Sequence, residues 1–149
     1  MRRGHEREEG QAAFEFLLTV PFLFIFFLLL VDLGVLMYHE VSASSGARAG
    51  ARFAAVNCGT GTCTLDEIRD RTISGSGGIL DDSSEIDVAW IDRNGDGLNS
   101  GRGDSVVVRV RHTYNFLFFP SASIDVYSCA DYRLEQRDRT SGLPGGDEC

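Results

Sequence analysis

Gly10-Gln11-Ala12-Ala13-Phe14-Glu15-Phe16 leads into an apolar run from Leu17 to Val31, then Asp32, then a second apolar piece ending at Tyr38. From Phe16 to Tyr38 there are 23 residues, and Asp32 is the only charged one. As a helix this stretch is roughly 34 Å long, at about 1.5 Å per residue, enough to cross a hydrocarbon core of about 30 Å. It is apolar on every face, as a lipid-embedded helix is. The stretch therefore predicts a single membrane-spanning helix near the N-terminus. Pro21 removes one helix hydrogen bond and introduces a kink of a kind that membrane helices tolerate.

Glu15 stands at the entrance to this helix. A carboxylate at the centre of a membrane helix costs about 2.5–3.5 kcal/mol on insertion scales, so it either marks the interface or has a partner. Gly10 lies five residues earlier. Cleavage after Gly10 makes Gln11 the new N-terminus and Glu15 the fifth residue of the mature chain. The new α-amino group then carries a positive charge on an apolar helix. A Glu15 carboxylate from a neighbouring subunit would complement it and hold adjacent helices in register. Met1 to Gly10 holds three Arg and three Glu. A secretory signal has a clearly positive start and an apolar core of about 7–15 residues, so this run is too long and Glu15 is misplaced. Ser42-Ala43-Ser44 offers only a superficial cut site. Arg2, Arg3 and Arg7 favour a cytoplasmic N-terminus.

Gly10 to Phe16 resembles the leader-peptidase site of type IV pilin-like proteins, with Gly before the cut and Glu at mature position five. The continuation is similar to the TadE-like minor pilins (pseudopilins) of the tight adherence, or Flp, pilus system. The matching features are Glu15-Phe16, Pro21, Asp32-Leu33-Gly34, and Gly46-Ala47-Arg48-Ala49-Gly50-Ala51-Arg52-Phe53-Ala54-Ala55. Gly103-Asp104 followed by the strand Ser105 to Val110 is similar to a later block of that family. The departures are Asp32 where the family has Glu, and a long acidic middle segment. The resemblance implies processing by a prepilin leader peptidase after Gly10, between Gly10 and Gln11. It also implies partners among other pilins, pseudopilins and the pilus assembly platform, with Glu15 and Phe16 at the assembly contact.

The formal net charge is −8, and beyond Tyr38 there are 17 acidic residues against 11 arginines. Such a domain repels phosphate backbones, which argues against nucleic acid as a partner. The expected organisation is a leader at 1–10, a transmembrane helix at 11–38, a helical stem at 39–56 and one small extracytoplasmic domain at 57–149. Along the stem, Ala43, Ala47, Gly50, Ala51 and Ala54 share one face, a stripe of small residues suited to packing on the chain's own domain. Thr64-Leu65-Asp66-Glu67 fits a capping box opening a short helix to about Ile73, with Leu65, Ile68 and Thr72 inward. Strands are expected at Glu85 to Ile91, at Ser105 to Tyr114 and at Ile124 to about Leu134. Ile86, Val88, Trp90, Val106, Val108 and Val110 face in, and Arg109 and Arg111 face out. The fold class is α+β: a long N-terminal helix continuing into a small domain whose three- to four-stranded antiparallel sheet packs on the stem, pilin-like in outline.

Several motifs remain. Asp92, Asn94 and Asp96 alternate as in the first half of an EF-hand loop, but position twelve is Gly103 and no apolar helix flanks the loop. A polar turn is the preferred reading, with weak calcium binding as the competing one. No other cofactor is expected. Cys58, Cys63, Cys129 and Cys149 lie beyond the membrane helix, and disulfides are the natural reading on an oxidising side. Cys58–Cys63 with Cys129–Cys149 is the most local of three pairings. Arg102-Gly103-Asp104 is a chance tripeptide at a Gly-rich turn. Phe116 to Pro120 is an apolar run expected to form a core edge under the stem, with a membrane-surface or subunit contact as the alternative. Nothing supports catalysis: there is no Ser/His/Asp pattern and no phosphate-binding Gly loop. Two functions compete. One is a processed minor pilin in the membrane or its pilus; the other is an uncleaved, single-pass membrane-anchored extracellular binding module, with calcium as its candidate ion.

Overall fold

One helix of 53 residues, α1 (His5–Asn57), runs the length of the molecule. The structure, a computed structural model, describes residues 5–58, 63–81, 84–95, 103–134 and 149, with side chains from Gln11 onward. At about 1.5 Å per residue α1 is roughly 80 Å long, and Pro21 does not end it. Its first half is bare. From Gln11 to Leu30 every side chain is exposed except Leu28, which is half-buried. Beyond that point burial returns at every third or fourth position: Asp32, Val35, His39, Ala43, Ala47, Gly50 and Ala54. This is the spacing of a single helix face, and the domain is built on it. The helix stops at Asn57, whose side chain donates to the Phe53 carbonyl at 3.1 Å. A Cys58–Cys63 disulfide follows.

Thr64 caps the second helix, α2 (Leu65–Gly75), through the expected reciprocal pair. The Glu67 amide donates to the Thr64 hydroxyl at 3.3 Å, and the Thr64 amide donates to the Glu67 carboxylate at 3.0 Å. Ile68 and Thr72 are buried as expected, whereas Leu65 is 40% exposed.

Three strands, β1 (Glu85–Ile91), β2 (Ser105–Asn115) and β3 (Ser123–Arg133), form an antiparallel meander in the order β1-β2-β3. Trp90 pairs with Val106, Val88 with Val108, and Ile86 with Val110. These six side chains are all buried, on the face turned toward the helices. The outer face carries charge instead. Arg109 meets Asp87 at 3.3 Å, and Arg111 meets Asp125 at 2.9 Å and Glu85 at 3.4 Å. Arg93 pairs with Asp131. The result is an α+β fold with helices on one face of the sheet, and on the other the ion pairs beside a buried Ala89–Val107 pair.

The helices cross closely because the contact is built from the smallest side chains. Ala43, Ala47, Ala51 and Ala54 are completely buried. A Cβ added at Gly50 would lie 2.0 Å from the Thr72 hydroxyl, one at Gly46 2.6 Å from the Thr72 carbonyl oxygen, and one at Gly75 2.5 Å from the Ala49 Cβ. The small-residue stripe is thus spent inside the chain. Replacing Gly50 by Ala is expected to lower stability by about 1–3 kcal/mol through overpacking, despite the better helix propensity of Ala. Thermal unfolding of the detergent-solubilised full chain measures this, and an unchanged midpoint would contradict the crossing geometry.

Candidate assembly site

Two carboxylates sit on the apolar helix, and the structure treats them differently. Glu15 lies on the bare half of α1 and is exposed. Its Oε1 accepts from the Gln11 side-chain amide at 3.1 Å, and the Thr19 hydroxyl donates to its backbone carbonyl at 2.8 Å. Phe16 beside it is 71% exposed. The Gly10–Gln11 peptide lies within α1, one helical turn from Glu15. Gln11 and Glu15, residues singled out from the sequence, are therefore neighbours on one helix face.

Asp32 is 1% exposed. Its Oδ1 accepts from the Leu117 amide at 2.9 Å and from the Tyr114 hydroxyl at 3.3 Å. Its Oδ2 accepts from the Phe118 amide at 3.3 Å. All three donors come from the end of β2 and the turn after it, more than 80 residues away in the chain. Burial first, and then the adjacent Asp32 carboxylate, raises the Tyr114 hydroxyl above its ordinary pKa, which keeps it a donor. Sequence reasoning marked Asp32 only as a family feature. The signal available was its position, since a charge within an apolar helix requires a partner.

This contact corrects the reading of Phe116 to Pro120 as a core edge. Phe116 packs against the core, but Leu117, Phe118 and Phe119 are 66, 38 and 47% exposed. The backbone of the turn is drawn to Asp32, and its apolar side chains are left facing outward.

One to two turns further along α1, His39 lies against β2. Its ring stacks on His112 at 5.4 Å and meets Tyr114 edge-on at 4.8 Å; Tyr38 lies beside it at 6.2 Å. The His39 Nδ1 is buried without a hydrogen-bond partner among the described residues. Ser84 contacts the His112 Nδ1 at 3.4 Å. Burial, and secondarily His112, lowers the His39 pKa below its ordinary 6.5.

The remaining residues predicted from the sequence fall elsewhere. The Asp92 Oδ1 accepts from the Gly95 amide at 2.7 Å, as in an Asx turn. Asp96 lies outside the described residues, and among the described ones no three His, Cys, Asp or Glu side chains converge on a metal-sized site. Cys58 pairs with Cys63, and Cys129 with Cys149, at Cα separations of 4.6 and 5.8 Å. A depression of about 560 Å³ is lined by Arg69, Glu85, Asp87, Arg109 and Arg111 with Tyr127. The acids and arginines of the sheet there already pair with one another.

Comparison with known proteins bears on the helix. The family model described as TadE-like protein matches residues 10–52. This segment is similar to the TadE-like proteins. The match begins at Gly10, includes Glu15 and Asp32 and ends at Arg52, within the small-residue stripe. No curated protein and no solved structure matches the chain.

Two predictions follow from this geometry. Asp32→Ala leaves two turn amides and the Tyr114 hydroxyl without their acceptor. It is expected to cost about 1–3 kcal/mol and to expose the β2–β3 turn to limited proteolysis, with Tyr114→Phe losing less. For His39, the unfolded chain binds a proton more readily than the folded one. Its contribution to stability is therefore complete above about pH 6.5 and is lost as pH falls through the lowered folded value. His39→Gln should flatten the fall in unfolding midpoint between about pH 7 and pH 5; an unaltered slope would assign the pH dependence to other groups.

Proposed function

We propose that this chain is a minor pilin, or pseudopilin, that takes part in assembling a tight adherence pilus and is processed by a prepilin leader peptidase between Gly10 and Gln11. The observation that carries the reading is the contrast between the two helix carboxylates. Asp32 is met by three donors of its own domain, whereas Glu15 stands on a bare helix and, among the described residues, meets a side-chain amide rather than a charge. An exposed carboxylate on a lipid-facing helix is costly unless an opposite charge arrives. Removal of the leader supplies that charge as the Gln11 α-amine. A neighbouring subunit's Glu15 then pairs with it, and the exposed aromatic and aliphatic side chains from Phe14 to Leu30 pack between helices.

On this reading the N-terminus faces the cytoplasm, the acidic domain lies outside, and the partners are other pilins, pseudopilins and the assembly platform. The role is structural rather than enzymatic. An uncleaved anchor would leave the juxtaposition of Gly10 and Glu15 without a purpose.

Intact-mass analysis of the membrane-extracted chain is the direct test. Co-expressed with its leader peptidase, the wild type should begin at Gln11, and Gly10→Ala should retain the leader. Glu15→Ala should be cut normally but fail to enter assembled fibres. Normal cutting of Gly10→Ala, or wild-type fibre yield from Glu15→Ala, would sink the respective step.

A further inference from the structure

The turn joining β2 to β3 presents Leu117, Phe118 and Phe119 to the outside, a concentration of apolar surface that a water-facing loop rarely carries. Three observations point to what covers it. The first is depth. The bonds from the Leu117 and Phe118 amides to Asp32 fix the turn at a known level on α1. Asp32 lies 17 residues past Glu15, about 26 Å along the axis, close to the far boundary of a hydrocarbon core about 30 Å thick entered at Glu15.

The second is continuity. Leu29, Leu30 and Leu33 are about half exposed on α1 at that same level, so the turn extends the apolar surface of the span sideways. The third is the backbone. Lipid offers no acceptors, and here the amides of Leu117 and Phe118 bond Asp32, Phe116 bonds the Ala122 carbonyl, and Ala122 bonds the Phe119 carbonyl. Pro120 has no N–H to satisfy, and the Phe119 and Ser121 amides are left for the water of the headgroup layer.

We propose that the β2–β3 turn is an interfacial lipid anchor that seats Leu117, Phe118 and Phe119 at the acyl–headgroup boundary of the outer leaflet. The inference rests on α1 spanning a membrane and is independent of leader processing. With α1 it gives the domain a second point of attachment, which fixes its height and tilt above the bilayer. Aromatic and aliphatic side chains beside a largely bonded backbone suit that boundary layer, where water still reaches the remaining amides.

Depth-resolved fluorescence of the full chain in phosphatidylcholine vesicles tests this, at high lipid excess and with brominated acyl chains as quenchers. Leu117→Trp and Phe118→Trp report on the turn, Leu29→Trp on the span and Tyr127→Trp on the outer sheet face. The wild type, with its single buried Trp90, sets the background. The turn reporters should lose emission about as strongly as Leu29→Trp, most with bromines near the headgroup, while Tyr127→Trp stays at background. Turn reporters no more quenched than Tyr127→Trp, with Leu29→Trp strongly quenched, would overturn the proposal. Burial of the turn that appears only at high protein-to-lipid ratio would also overturn it and assign the surface to a neighbouring subunit. An unquenched Leu29→Trp would instead remove the premise that α1 spans the bilayer.

Discussion

The carboxylate of Asp32 holds the domain to its helix. A charge embedded in an apolar segment is tolerated only when its lone pairs are satisfied, and here two backbone amides and a phenol do so at 2.9–3.3 Å. Because those donors come from the end of β2 and the following turn, the bond also sets direction. As β2 proceeds from His112 through Tyr114 to Leu117, its partners on α1 run backward from His39 to Asp32. β2 is therefore antiparallel to α1, and the β2–β3 turn points toward the bare half of α1. Glu15 presents the same chemical group with no such provision, and the division between an internal and an external carboxylate organises the functional reading.

Steric economy holds the other end. Ala43, Ala47, Ala51 and Ala54 keep α1 slim where it enters a core shared with Val106, Val108, Val110 and Ile68. Gly46 and Gly50 let Thr72 of α2 approach where any side chain would collide. A domain of this size buries few large side chains, so short distances between backbones and two disulfides make up part of the difference.

Most of this architecture was legible in local sequence patterns. The alternation of Val106, Val108 and Val110 with Arg109 and Arg111 defined both the strand and its buried face. Thr64 and Glu67 announced the start of α2 through a pattern confined to four residues. The most local cysteine pairing was the one formed. What could not be read were contacts whose partners are distant in the chain. Asp32 and the residues it binds are 82–86 positions apart, and nothing near Asp32 says which donors it meets. The same ignorance made Phe116 to Pro120 look like core, since apolar composition alone cannot distinguish a buried strand end from a turn whose backbone, rather than its side chains, is captured. Leu65 was also misjudged: helical phase placed it with Ile68 and Thr72, but it is exposed.

The unbroken course of α1 has a mechanical consequence. A pull applied along its N-terminal half travels through consecutive helix turns directly beneath the folded domain, without an intervening hinge or linker. Since β2 lies alongside that helix and is held near Asp32, His39 and the alanine stripe, such a load acts parallel to the contact plane. The bonds are then stressed together in shear, instead of opening one after another from a free end. A chain with the same contacts hung from a flexible tether would peel.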